Sequence, residues 1–176
     1  MIAGPRRVAV IGTAGSGKTV FSADLAARLG VPHVELDALF WLPGWQQPDE
    51  ADFRARVETA TDGQGWVVDG NYSRVRDLVF GRSDTVVWLD LPLRTCLWRV
   101  VRRTLARARY REVLWGTNRE GMHSIVGRDS LVWWVVTTHR RRRRQNAAAF
   151  ADPAHAHLRR LHFTSNRAAQ AWLAST

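Results

Sequence analysis

The chain has 176 residues, enough for one domain with a sizeable core. Its 26 Lys+Arg outweigh 16 Asp+Glu, and the net charge of +10 calls for an anionic partner without choosing among nucleotide phosphates, nucleic acid and anionic lipid. The single cysteine, Cys96, excludes an internal disulfide framework and suits a reducing cytoplasm; no apolar run approaches the ~18 residues of a membrane span, and the segment before the first strand is too short for a signal peptide.

Residues 8–11 are a short, continuous, mostly β-branched run, which predicts a buried strand of a parallel sheet. Directly behind it stands Gly12-Thr13-Ala14-Gly15-Ser16-Gly17-Lys18-Thr19, followed by Val20. It fits G-x-x-x-x-G-K-[ST], the phosphate-binding loop, in the strand–loop–helix context that pattern requires. The glycines let the backbone turn tightly and aim its N–H groups inward, and the helix start adds unpaired donors and the positive end of its dipole. Lys18 is placed to reach the β- and γ-phosphates of a nucleotide, and the Thr19 hydroxyl to sit on Mg²⁺. Lys18 is also the only lysine among the 26 basic residues. A compact ammonium is wanted there, because a planar arginine fork would not fit a loop wrapped round a phosphate.

The helix of residues 17–29 carries Val20, Phe21, Leu25 and Leu29 as its apolar stripe, and Gly30 closes it. Residues 31–36 predict a second strand with Asp37 at its carboxyl end. There Asp37 either lies on the ligand side of an open α/β sheet or caps the following Ala38-Leu39-Phe40. An aromatic loop follows (residues 40–45), then Pro48-Asp49-Glu50, which opens a helix with Phe53 and Val57 on one side. Gly63 and Gly65 break it. Residues 66–68 predict a third strand running into Asp69-Gly70-Asn71-Tyr72-Ser73-Arg74, and residues 85–89 a fourth, running into Asp90-Leu91-Pro92. Strand and helix alternating in this way mean a three-layer α/β fold around a doubly wound parallel sheet.

Residues 93–108 predict a long helix rich in arginine, with Leu97, Val100, Val101 and Leu105 inward. Residues 110–128 are polar and glycine-dotted and read as a mobile segment. A second long helix, residues 130–150, presents Val132, Trp133, Val135 and Val136, then His139 and the run Arg140 to Arg144. Consecutive helical residues point all round the axis, so one or two of these arginines face a site and the others are solvated. Residues 158–163 form a last strand, and Ser165 or Asn166 caps a closing helix with Ala169, Trp172 and Leu173 inward.

Two strand ends offer a carboxylate for Mg²⁺. Gly70 keeps the loop slim beside a ligand and favours Asp69, while Asp90, with Pro92 behind it, reads as a structural acid. Arginines presented by a mobile segment suit phosphoryl transfer, which asks for positioning and neutralisation of charge. Trp41, Trp45 and Tyr72 fall on the acceptor side, where they could stack on a planar substrate; Trp66, Trp88, Trp98, Trp133, Trp134 and Trp172 read as core. Cys96 reads as packing, and the histidines show no zinc-ligand spacing.

Taken together these residues resemble the adenylate kinase-like (nucleoside monophosphate kinase) P-loop family, and within it a bacterial subgroup labelled "DNA topology modulation"-related. Residues 12–19, 36–45, 66–73, 87–92 and 97–103 carry the match. The resemblance implies a five-stranded parallel sheet of order 2-3-1-4-5, an acceptor-binding insert at about residues 38–63 and a lid at about 107–129, set in a core of about 6–37, 64–106 and 130–176. It implies that Arg99 and Arg103 serve the nucleotide, one on the adenine and one on the phosphates, with Arg103 also neutralising the transferred group. It gives Asp69 to the metal, Asp37 to substrate and metal as in shikimate kinase, and Arg54 or Arg56 to the acceptor. The family's Asp-Gly-Phe-Pro-Arg is here Asp69-Gly70-Asn71-Tyr72-Ser73 with the arginine one place later, at Arg74, so the acceptor side departs from that of adenylate kinases. The reading is an ATP- and Mg²⁺-dependent cytoplasmic phosphotransferase. Lys18, Asp69 and Arg103 do the chemistry, with Asp37, Arg54, Gly70, Asn71, Tyr72 and Arg74 toward a nucleotide, nucleoside or other small-molecule acceptor. The alternatives are a nucleotide-gated nucleic-acid-binding protein, or a kinase of another hydroxyl metabolite or an antibiotic.

Overall fold

A computed structural model of the chain describes residues 5–110, 113–114, 118–119 and 130–176. The strands are β1 (Arg7–Gly12), β2 (His33–Glu35), β3 (Trp66–Asp69), β4 (Thr85–Leu89), β5 (Val113–Leu114), β6 (Asn118–Arg119) and β7 (Arg159–Phe163). Five of them form one parallel sheet in the order β2-β3-β1-β4-β7, which is 2-3-1-4-5 counted within the sheet. β5 and β6 pair separately and antiparallel, and β6 lies beside the turn Pro43–Trp45. Residues 107–110 of the expected lid continue a helix, and its residues 111–112, 115–117 and 120–129 lie outside the described residues.

Because side chains alternate across a strand, the sheet feeds two cores. Ala9, Ile11, Trp66, Val68, Val86 and Trp88 point to one face, where they meet Phe40 of α2 (Leu36–Phe40), Phe53 and Val57 of α3 (Glu50–Ala60), Phe80 of α4 (Arg76–Arg82) and Ala149 of α6 (Leu131–Ala151). Val8, Val10, Val67, Val87 and Leu89 point to the other, against Phe21 and Leu25 of α1 (Lys18–Leu29) and Leu173 of α7 (Asn166–Ala174). The remaining helix, α5 (Leu93–Tyr110), packs against α6.

The helix ends follow the residues expected of them. Gly30, at φ +66, closes α1; Asp49 accepts from the Asp52 N–H at 2.7 Å to open α3, and Ser130 and Ser165 cap α6 and α7 in the same way. Two differences bear on the site. The second strand stops at Glu35, and Leu36 and Asp37 already belong to the short helix α2, where Asp37 does not act as the side-chain cap. Among the tryptophans, Trp66 and Trp88 are core, but Trp98, Trp133 and Trp134 are 60%, 50% and 40% exposed. Leu105 and Val136 are exposed too, so the apolar faces expected of α5 and α6 are corrected. Among the described residues no helix is long and apolar enough to cross a membrane.

Candidate functional site

The loop from Gly12 to Lys18 leaves the carboxyl edge of the sheet between β3 and β4 and enters α1. Gly15 takes φ +79, and a Cβ there would lie 2.2 Å from the Cys96 carbonyl oxygen, so the backbone of α5 abuts the loop. The Ser16 N–H donates to Thr13 O at 3.1 Å, and Arg99 Nη1 donates to Ser16 O at 3.0 Å. Cys96 Sγ lies 3.5 Å from Thr13 Oγ1, and burial pushes the thiol pKa up, which keeps it a packing group.

The first turn of α1 has no side-chain cap to take up its donors. Gly17 is the N-cap of α1 and supplies no capping side chain. Ser16 Oγ is buried with no partner among the described residues. Lys18 is half-buried, and Thr19 and Val20 are exposed at the helix start. Orphaned donors, a buried hydroxyl and one ammonium around a backbone cradle fit a polyphosphate.

All of Thr13 to Val20 line a cavity of about 1230 Å³. Its walls include Glu35, Asp37, Gly70, Asn71, Tyr72, Arg74, Arg99, Arg103, Arg107 and Arg142, with the indoles of Trp41, Trp45 and Trp134. The structure therefore gathers round one space nearly every residue that the sequence places on the donor and acceptor sides.

Three of those residues are not on its wall, the first being Gly12, the last residue of β1. Arg54 lies outside the cavity; it reaches from α3 to Asp77 of α4 with contacts of 3.1 and 2.5 Å and to the Arg74 carbonyl at 3.2 Å. Asp69 is 2% exposed and does not line the cavity; its Oδ2 is 3.3 Å from His33 Nε2, and that bond raises the His33 pKa although burial opposes it. The carboxylates that do line it are Glu35, in register with Asp69 in the neighbouring strand, and Asp37. No group of three or more His, Cys, Asp or Glu able to hold a metal occurs among the described residues. Mg²⁺ held on a nucleotide needs few protein ligands, and Thr19, Glu35 and Asp37 on the cavity wall carry oxygens of the kind it takes.

On the acceptor wall, Tyr72 Oη donates to Asp37 Oδ1 at 2.5 Å and packs against Phe40 and Phe53. Burial, then the Asp37 charge, push the phenol pKa far above its ordinary value, so Tyr72 remains a donor. Arg142 donates from Nη1 to the Asn71 carbonyl at 3.2 Å, lies over the Trp134 ring at 5.2 Å, and buries an Nε without a partner among the described residues. Burial lowers its pKa, and so does the neighbouring charge of Arg141. Of the five-arginine run only Arg142 lines the cavity. Arg143 grips Asp90 at 2.7 and 2.9 Å, so Asp90 is the structural acid expected of it, and Arg140, Arg141 and Arg144 are exposed.

Glu35 is the wall residue that sequence reasoning passed over, although it had a signal, an acid two places before Asp37 at a strand end. Arg142 is one of the run expected to send one or two members to a site, and only the phase of α6 picks it out.

No family model matches the sequence, and no curated protein matches it. Solved structures do. The shikimate kinase of Bacteroides thetaiotaomicron is 13% identical, with 98% of this chain and 96% of that one covered at a TM-score of 0.57. The shikimate kinase of Acinetobacter baumannii, in complex with shikimate, is 16% identical over 97% and 89% of the two chains, with a TM-score of 0.54. A gluconokinase from Sinorhizobium meliloti 1021 is 17% identical over 97% and 93%, with a TM-score of 0.50. At such identities the likeness speaks for the fold alone: the chain has the three-layer α/β fold of these kinases.

Proposed function

We propose that the protein is an ATP- and Mg²⁺-dependent small-molecule kinase, transferring the γ-phosphoryl group of ATP to a hydroxyl of a small-molecule acceptor. The observation that supports this best is the meeting, in one cavity, of the phosphate loop with Asp37, Tyr72 and Arg142. The loop amides, Ser16 and Lys18 hold the β- and γ-phosphates. When bound, Mg²⁺ neutralises charge on the phosphates, and Thr19 with Glu35 and Asp37 would hold it. Asp69, beneath, props this edge of the sheet through His33. Arg99 and Arg103 stand on the nucleotide side, and Arg103 is the lid-side charge nearest in role to the transferred group.

For the acceptor, Asp37 orients the hydroxyl and takes its proton as the oxygen bonds to the γ-phosphorus and the β–γ bridging P–O bond breaks. Tyr72 fixes the carboxylate that does this. Arg142, partly desolvated, awaits an anion, with Arg74 at the rim. The indoles of Trp41, Trp45 and Trp134 favour an acceptor with a ring face, so we infer a nucleotide or nucleoside before an open-chain acid. Shikimate and gluconate, named for the structural neighbours, are the competing choices.

The test is ADP release from Mg²⁺·ATP across a panel of nucleoside monophosphates, nucleosides, shikimate and gluconate. One member should raise the rate well above the acceptor-free background. Lys18→Ala and Asp37→Asn should each lower that stimulated rate by about a hundredfold or more. A panel in which nothing exceeds the background sinks the kinase reading.

A further inference from the structure

In the parallel ladder between β1 and β3, the even-numbered residues from Arg6, just before β1, onward turn their peptide groups toward β3. The Trp66 N–H donates to Arg6 O at 2.8 Å and the Gly70 N–H to Val10 O at 3.3 Å. The next rung falls at Gly12, the last residue before the phosphate loop. By then β3 has ended at Asp69, and Gly70, at φ +146, has swung the chain away; a Cβ there would strike Leu36 at 2.7 Å. The peptide that should face Gly12 is gone.

The side chain of Asn71 takes its place. Its Oδ1 accepts the Gly12 N–H at 3.5 Å, and its Nδ2 donates to the Gly12 carbonyl. A carboxamide carries the same donor and acceptor as a peptide group, and asparagine offers it on a single methylene. Aspartate has no donor, and a hydroxyl cannot span both atoms. The backbone of the same residue accepts from Arg142 at 3.2 Å, and the next side chain, Tyr72, holds Asp37. One two-residue turn thus ties the exit of β1 to the acceptor wall.

We propose that Asn71 is a positioning residue for the phosphate loop: its carboxamide supplies the missing rung of the sheet and sets the peptide from which the loop springs. This rests on the nucleotide-site reading above, but it gives Asn71 a task other than touching the acceptor. The affinity for the phosphates then depends on Asn71, while the affinity for the rest of the nucleotide does not.

Calorimetric titration of the full chain with Mg²⁺·ADP and with adenosine separates these. Asn71→Ala is expected to weaken Mg²⁺·ADP about tenfold, as for the loss of a part-buried hydrogen-bond pair, and to leave adenosine unchanged. Asn71→Asp keeps an acceptor but sets a carboxylate against the Gly12 carbonyl, so it should fall at least as far. Equal losses for both ligands, or none for either, overturn the proposal, since a merely structural residue would not discriminate. Should neither variant fold, the Asn71 side-chain amide signals of the wild type decide by NMR. They should move with Mg²⁺·ADP and stay still with adenosine; signals indifferent to Mg²⁺·ADP overturn the proposal. A wild type that does not bind Mg²⁺·ADP would defeat the nucleotide reading itself, and this proposal with it.

Discussion

A Cβ at Gly15 would meet the Cys96 carbonyl oxygen at 2.2 Å, and its φ of +79 is strained for any other residue. Both objections fall on backbone, which cannot rotate aside as a side chain can. Gly15→Ala should therefore cost about 1–3 kcal/mol of stability and abolish Mg²⁺·ADP binding while leaving Asp37 and Tyr72 intact; thermal melting and calorimetry check both halves. That Lys18, Thr19 and Asp37 stand on one wall was legible in the sequence, because each is placed by a motif or a strand end. Arg142 was not. The buried positions of α6 are Val135, His139, Asn146 and Ala149, so two polar residues lie inside, while Trp133 and Val136 lie outside. An apolar stripe read from the sequence gives the wrong phase for such a helix, and with five arginines in a row the phase alone says which one enters the site.

Helix α6 is held to the strand ends by three successive polar contacts. His139 Nε2 donates to Leu91 O at 3.4 Å, Arg142 to Asn71 O, and Arg143 to both oxygens of Asp90. Burial alone would push the Asp90 carboxyl up, but the bonds from Arg143 and His162 outweigh it and hold the group below the usual carboxylate range. A depressed native pKa stabilises the fold above the unfolded value of about 3.9 and loses that effect as pH falls through the native one. Arg143→Ala should then destabilise the protein by about 1–2 kcal/mol near neutrality. The gap from wild type should close as the pH drops below about 4. Melting curves of the two proteins over pH 3–7 test this; a gap that persists in acid contradicts it. Of the elements themselves, the sheet strands, α1, α3, α5, α6 and α7 could all be placed from periodicity and caps. The crossover helix α4 could not, because seven residues with Val79 and Phe80 adjacent show neither period.

At the scale of the molecule, a parallel sheet sends all its strand ends to one edge, and that topology brings Glu35, Asp37, Gly70, Asn71 and the phosphate loop together although they are far apart in the chain. The parallel sheet followed from strand–helix alternation, and its order from the family resemblance alone. Which strand-end acid faces the cavity did not, because it turns on His33 meeting Asp69 across two strands. A ligand seated at this edge couples to the whole fold. Mg²⁺·ADP at a hundred times its dissociation constant should add about 2.7 kcal/mol, or roughly 5–10 °C in melting temperature for a chain of this size. Lys18→Ala should erase that shift, and differential scanning fluorimetry reads it directly. The solitary lysine has another consequence. Lys18 Nζ is the one side-chain amine the protein possesses, set in the wall of the cavity among arginines that acylating reagents pass over. An amine-selective reagent thus has one side-chain address on the whole chain, and the rate at which it reacts there is a gauge of whether the cavity is filled.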